Sequence, residues 1–425
     1  MLSPSRLALC CAAAWALAQA AAVPVRADQA AVDSVPVVAG PLTFDRAVWL
    51  AARYQLSLRA ADLRASASHA RIRDAGRRPN PVLLGTGENF GGDLGSERLE
   101  STLEIAQTIE LGGDRGARSA VAAGESRLAV ADAAVLRRGL LMLSAERFAR
   151  AWSLQERLVR LREGEDLTRQ AIAAASARYR AGASPLVERA RAESQALAQA
   201  VARQQAQSEL AIARLELALT WGAAEAAFDS LVAVVPARES EAAPRLAAHP
   251  ELEQASAAEE LSEARRKAAE AMRVPDVTLS GGVRHLEEVS GTGFVAGVEL
   301  PIPLWNRSAG TVDAARREQE AAVADRRAVE RRLEVEVANA VRRVRAAAAT
   351  YDTLTLRLRP ARQDLVAELL RAYRAGRISY LDLIAEQRFL LETDLAVVDA
   401  QADLWLSRIH LDLLTGTLSI QGGGR

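Results

Sequence analysis

Two stretches, 115–178 and 309–374, keep the spacing of an α-helix without interruption. At about 1.5 Å per residue each is roughly 95 Å long, more than a compact globular domain holds. Apolar residues four and three apart, such as Leu136, Leu140 and Leu143, or Leu391, Leu395 and Val398, predict a coiled-coil seam, and abundant alanine lets neighbouring helices approach closely. Shorter helices over 44–77 and 185–221 together match one long helix, so the two can stack end to end beside it.

Proline and glycine bracket two pairs of segments that alternate with period two. Segments 82–90 and 97–109 flank a turn at Gly91-Gly92-Asp93, and segments 277–285 and 292–300 flank one near Ser290-Gly291. Leu103 and Ile105 alternate with Thr102, Glu104 and Ala106, and Phe294, Ala296, Val298 and Leu300 alternate with Val295, Gly297 and Glu299. One face is therefore apolar, and periodicity leaves open whether Leu103, Ile105, Phe294 and Val298 meet a protein core or lipid.

The chain repeats itself. Tyr179-Arg180-Ala181-Gly182 recurs as Tyr373-Arg374-Ala375-Gly376, and the LALTWG that starts at Leu217 recurs as the LDLLTG that starts at Leu411, both at an offset of 194 (373 − 179 and 411 − 217). Each half reads as helix, strand pair, very long helix, tight turn, helix. The expected organisation is a first repeat over 28–222, a connector over 223–248, a second repeat over 249–416 and a flexible tail over 417–425.

Ahead of the repeats, Arg6 precedes an apolar run over 7–17, and Val25-Arg26-Ala27 precedes Asp28. This predicts a secretory signal peptide over 1–27. Both cysteines, Cys10 and Cys11, fall inside it, and with Leu9 before Cys10 neither has the small preceding residue that lipidation needs. No later apolar run is long enough for a transmembrane helix, so any membrane crossing has to use strands.

Composition narrows the chemistry. Lys+Arg 54 balances Asp+Glu 54, which gives no basic bias toward nucleic acid, and 50% hydrophobic with only 4% aromatic residues suits closely packed long helices. The arginine-rich run 326–345 interleaves Arg327, Arg331 and Arg332 with Glu330, Glu334 and Glu336, the pattern of a solvated helix face. Phosphate loops, nucleophile elbows and thiols are missing beyond the signal peptide, and His69, His249, His285 and His410 lack ligand spacing, so no catalytic residue, cofactor or metal site is expected.

Two turns stand out. Gly182 ends the first long helix, with Ser184 as the expected N-cap and Pro185 at the first position of the next helix. Gly376 ends the second, and Ser379, followed by Tyr380 and with Asp382 at the third position, forms a capping-box pattern. As local chemistry these are efficient helix-hairpin turns.

The ordered motifs Gln107-Thr108-Ile109-Glu110-Leu111-Gly112-Gly113 leading to Arg115 and Arg118, and Pro301-Ile302-Pro303-Leu304-Trp305-Asn306-Arg307 leading to Gly310, together with the repeat, resemble the TolC family of outer membrane factors. The chain is most similar to the branch serving heavy-metal efflux pumps of the resistance-nodulation-division type. The resemblance implies a mainly α fold with a small β part, in which long antiparallel helical hairpins build an α-barrel through the periplasm. Two β-hairpins then contribute four strands to a trimeric, 12-stranded transmembrane β-barrel. Four strands cannot close a barrel, which needs about eight, whereas three chains supply twelve. The resemblance further implies a passive export duct for heavy-metal cations, contacting outer-membrane lipid, a periplasmic adaptor (membrane fusion) protein and an inner-membrane pump. In such a duct the turns around Gly182, Ser184, Pro185, Gly376, Ser379 and Tyr380 become periplasmic tips. Asp382 is a gate carboxylate, tripled by symmetry into a ring that favours cations, and Arg374 and Arg377 hold closed tips through salt bridges. A structural coiled coil of the envelope needs no strand pairs, and an adaptor pairs one hairpin with compact β domains, so the doubled pattern favours the duct.

Overall fold

A computed structural model describes residues 35–88, 100–233, 249–286 and 291–416. The expected signal peptide, the turns at Gly91-Gly92-Asp93 and at Ser290, most of the connector and the tail lie outside the described residues. The chain divides into two compact units, Met1–Pro36 and Val37–Arg425, and of the first only residues 35 and 36 are described. The second unit carries every helix and strand of the described residues.

It opens with β1 (Gly40–Thr43), α1 (Phe44–Tyr54) and α2 (Leu56–Ala75), followed by β2 (Val82–Glu88), β3 (Glu100–Ile109) and the 67-residue α3 (Asp114–Arg180). Next come α4 (Leu186–Ala218) with a 3-10 turn, β4 (Phe228–Val232), α5 (Pro250–Ala271), β5 (Val277–Leu286) and β6 (Gly291–Glu299). The second long helix runs as α6 (Ala309–Thr353), a π-helical turn (Leu354–Leu358) and α7 (Arg359–Arg374), and α8 (Tyr380–Thr415) returns.

Three features depart from the sequence expectation. The helix expected over 44–77 is cut at Gln55, whose extended backbone (φ −69°, ψ 115°) separates α1 from α2. The long helix expected over 309–374 carries a π turn directly before Pro360, which lacks an N–H and whose ring crowds the carbonyl four residues back. The span expected as connector contains β4, which pairs in parallel with β1. Gln155 of α3 donates from Nε2 to the Leu231 carbonyl (3.0 Å) and accepts from the Leu231 N–H (2.9 Å), satisfying β4 where, among the described residues, no third strand does so. Beside this pair the rings of Phe44, Phe148 and Trp405 pack at 4.8–5.8 Å between centroids and fasten α1 to α3 and α8.

The helices form one layer. On the sheet side the neighbours run α2, α3, α5, α6, and on the other side α4, α3, α8, α7. Many seam residues are small, among them Ala122, Gly124, Ala145, Ala149, Ala171 and Ala175, and Gly164 leaves room for Leu391, whose Cδ1 would lie 3.3 Å from a Cβ there. Ion pairs bridge each seam: Arg138–Glu251 (2.7 Å) joins α3 to α5, Arg326–Glu259 (2.6 Å) α6 to α5, Arg203–Glu165 (2.8 Å) α4 to α3, and Arg359–Asp394 (2.6 Å) α7 to α8. Arg326 and Arg332, from the arginine-rich run, thus reach across to α5. These pairs are partly buried, and they add directional contacts that favour one register between smooth, alanine-rich surfaces.

The larger sheet is antiparallel in the order β2-β3-β5-β6, so the hairpins of the two repeats join through β3 and β5. Its register places Leu83, Leu103, Ile105, Leu279, Val283, Phe294 and Val298 on one face. The other face carries Glu88, Glu100, Thr102, Glu104, Thr108, Ser280, Arg284 and Glu299. The apolar face is open, with Phe294 94% and Val298 74% exposed on the single chain. Among the described residues, the outer edges of β2 and β6 pair with no strand.

The β3–β5 junction generates a test. A Cβ on Gly282 would meet the Leu103 carbonyl and lie 2.7 Å from the Glu104 Cα, whereas one on Gly281 meets nothing within 4 Å. Gly282→Ala is expected to destabilise the sheet by about 1–3 kcal/mol and reduce the yield of heat-modifiable, membrane-inserted protein, while Gly281→Ala leaves both near wild type. Gel migration with and without heating, alongside far-UV circular dichroism of the helices, measures the difference.

Candidate functional site: the paired helix tips

Away from the sheet the chain makes two hairpin turns with the same backbone. After α3, Gly182 adopts φ +69°, its N–H donates to the Tyr179 carbonyl (3.0 Å), and the Ala183 N–H donates to that of Arg178 (2.9 Å). After α7, Gly376 adopts φ +76°, its N–H donates to the Tyr373 carbonyl (2.9 Å), and the Arg377 N–H donates to that of Ala372 (2.9 Å). Both are Schellman closures, which need a residue at ease in the left-handed region, and both sit at the repeat offset.

The helices after the turns start differently. The capping box at Ser379 is complete: the Asp382 N–H donates to Ser379 Oγ (3.3 Å), and Asp382 Oδ2 accepts from the Ser379 N–H (3.3 Å) and hydroxyl (2.7 Å). At the first tip the expected cap is not formed. Pro185, with ψ 155°, is itself the N-cap, α4 begins at Leu186, and the buried Ser184 Oγ has no hydrogen-bond partner. The reason is geometric, since a proline at ψ 155° is extended and cannot be the first helical residue, which moves the helix start one position beyond the reach of Ser184.

Side chains tie the two tips together. The Arg178 guanidinium donates to the Tyr373 carbonyl (2.8 Å) and to the Ala183 carbonyl (3.3 Å), and lies 4.6 Å from the Tyr373 ring centroid. Tyr373 donates its hydroxyl to Glu188 on α4 (2.9 Å) and packs edge-on against Tyr380 at 5.8 Å. Around them Ala171, Ala175, Ala192, Leu370 and Leu383 close a small core. Asp382, Arg374, Gly376 and Arg377 are exposed, and among the described residues neither arginine enters an ion pair. Tyr380 is 1% exposed and so belongs to this core, not to the surface of the tip.

Arg178, Tyr373 and Glu188 are the residues that sequence reasoning missed. The repeated Tyr-Arg-Ala-Gly contained the signal, because its two tyrosines occupy equivalent positions and only one can face the neighbouring hairpin: Tyr373 is fully buried and Tyr179 is 40% exposed. Among the described residues no group of three or more His, Cys, Asp or Glu side chains is arranged to hold a metal ion, and no helix is long and apolar enough to cross a membrane.

Residues 245–417 match the family model for outer membrane efflux protein. The chain is 27% identical over 384 residues to the cobalt-zinc-cadmium resistance protein CzcC of Cupriavidus metallidurans, covering 89% of this chain and 91% of that one. Its fold superposes on the structure of CusC, described in connection with transmembrane channel formation, with a TM-score of 0.77 at 18% identity, covering 88% of this chain and 91% of that one. The outer membrane protein VceC of Vibrio cholerae gives 0.74 at 18% identity, covering 88% and 96%.

The tip core has a pH signature. Burial pushes the Tyr380 phenol up to about 12, and burial together with the hydrogen bond to Glu188 raises Tyr373 as well. Because both are raised in the folded state, their stabilising contribution is full below the unfolded value of about 10 and is lost as the pH rises through the folded values. A phenolate absorbance titration is expected to show two late-ionising tyrosines, and Tyr373→Phe and Tyr380→Phe should each remove one.

Proposed function

We infer that this chain, a member of the outer membrane efflux protein family, works as a homotrimer whose three sheets close one 12-stranded barrel above a tube of helices. The protein is an outer-membrane efflux channel, a conduit and not an enzyme, that extends into the periplasm. The observation that carries the trimer is the sheet itself. Among the described residues its four strands have two free edges, one mainly apolar face and one that carries the carboxylates, and three copies joined β6 to β2 would satisfy the edges, turn the apolar face to lipid and line a lumen with the other.

Divalent metal cations are the inferred cargo. The related CzcC is named for cobalt, zinc and cadmium resistance. The polar face of the sheet supports the same class of cargo here, because it carries Glu88, Glu100, Glu104 and Glu299 against Arg284, a surplus of three negative charges per chain (4 − 1) among the described residues. Such a lining favours cations without needing dedicated ligands. The tips are the inferred docking end for a periplasmic adaptor and, through it, an inner-membrane pump of a tripartite system.

Asp382 is the inferred gate carboxylate. It is exposed next to the turn at Gly376, and three-fold symmetry converts it into a ring of three. That Arg374 and Arg377 are exposed and outside every ion pair among the described residues supports the reading that they hold the closed tips through salt bridges. In planar bilayers Asp382→Asn is expected to lower cation selectivity and weaken block by multivalent cations, with the detergent-stable trimer retained. Asp382→Ala also removes half of the capping box, at about 0.5–2 kcal/mol, so Asn is the cleaner variant. Unchanged selectivity and block would leave Asp382 a helix cap only, and a monodisperse monomer in mild detergent would overturn the trimer.

A further inference from the structure

The segment that carries β6 into α6 is apolar, exposed and stiff. Ile302 is 72% exposed, Leu304 59% and Trp305 93%. Leu300 before them and Leu111, at the matching end of β3, are 52% and 57% exposed. The backbone gives these side chains little freedom to fold back. Pro301 and Pro303 fix their own φ angles, the Leu304 N–H donates to the Ile302 carbonyl (2.9 Å), and Asn306 Oδ1 accepts from the Ser308 N–H (3.1 Å) just before α6. A rigid loop that holds a tryptophan and two large aliphatic residues in the open needs a partner that covers them.

Its position says which partner. Phe294 lies on the apolar face five residues before the end of β6, a distance of about 17 Å along a strand, which is close to half the hydrocarbon thickness of a bilayer. Leu300 comes directly after that strand, so the apolar face runs into the loop without a break. Tryptophan, with an apolar body and one N–H donor, is the side chain that membrane boundaries select, and the exposed Arg307 two residues later suits the phosphates just outside.

We propose that Leu300 to Arg307, with Leu111, is an interfacial anchor that seats Ile302, Leu304 and Trp305 at the headgroup and acyl boundary of the periplasmic leaflet and sets the depth of the barrel. This rests on the reading of the sheet as part of a membrane barrel, and the test separates the two.

In the trimer reconstituted into phospholipid vesicles, the emission lost on Trp305→Phe isolates Trp305 from Trp49, Trp152, Trp221 and Trp405. A second variant, Phe294→Trp in the Trp305→Phe background, reports the middle of the sheet. The Trp305 component is expected to be quenched several-fold more by lipids brominated near the headgroup than by lipids brominated near the chain end, and to be shielded from aqueous acrylamide. The Phe294→Trp component should show the opposite depth preference. Strong acrylamide quenching of Trp305 places the loop in water, and shielding from both quenchers places it between subunits; either overturns the anchor while Phe294→Trp remains lipid-quenched. If Phe294→Trp is also silent to lipid bromine, the barrel reading falls and the anchor with it.

Discussion

In the hydrocarbon of a bilayer no water satisfies a backbone N–H or C=O, so a sheet that enters it cannot keep an open edge. The larger sheet of this chain has four strands, and among the described residues its two outer edges, on β2 and on β6, are open. That mismatch organises the rest of the molecule. In the proposed trimer this mismatch makes one chain incomplete by itself, calls for closure around an axis, and divides the two faces of the sheet between lipid and lumen. Phe294, Val298 and Ile105 on one face and Glu100, Glu104 and Glu299 on the other suit that closure, with Leu84 and Val295 as apolar exceptions on the carboxylate face.

The helices meet a parallel constraint. A wall one helix thick has no deep core, and its strength has to come from its seams. Alanine and glycine bring the helices close, while ion pairs such as Arg138–Glu251 and Arg359–Asp394 prevent small, featureless surfaces from sliding past one another. Aromatic clusters add fixed points to the wall: the Phe44, Phe148 and Trp405 triad beside the β1–β4 pair, and the Tyr373, Tyr380 and Arg178 group at the tips. The second of these holds the two hairpins of one chain as a unit, so that any movement of the tips carries them together.

Much of this was legible in the sequence because the signals are local. Proline and glycine delimit both strand pairs, and the strand limits fall within a few residues of expectation, as at 277–285 against Val277–Leu286. Gly182 and Gly376 mark their turns because only a left-handed residue closes a helix that way. What the sequence hid is tertiary or cumulative. Gln55 breaks a helix without being a breaker, β4 pairs with a strand far away in the chain, and Arg178 and Glu188 look like any other charged residues on a solvated helix until Tyr373 is placed between them. The π turn before Pro360 was readable in principle, because a proline deep in a helical pattern demands some distortion.

Closure between neighbouring chains can be measured directly, because both cysteines of the sequence, Cys10 and Cys11, precede the expected mature chain. One cysteine placed along β2 and one along β6 are three strand spacings apart within a chain, about 14 Å, too far for a disulfide. Oxidation of a set of such pairs in outer-membrane fractions is predicted to give, at the correct register, a covalent ladder that ends at three chains. Pairs that never cross-link, or a ladder that stops at two, would contradict the closed trimeric barrel.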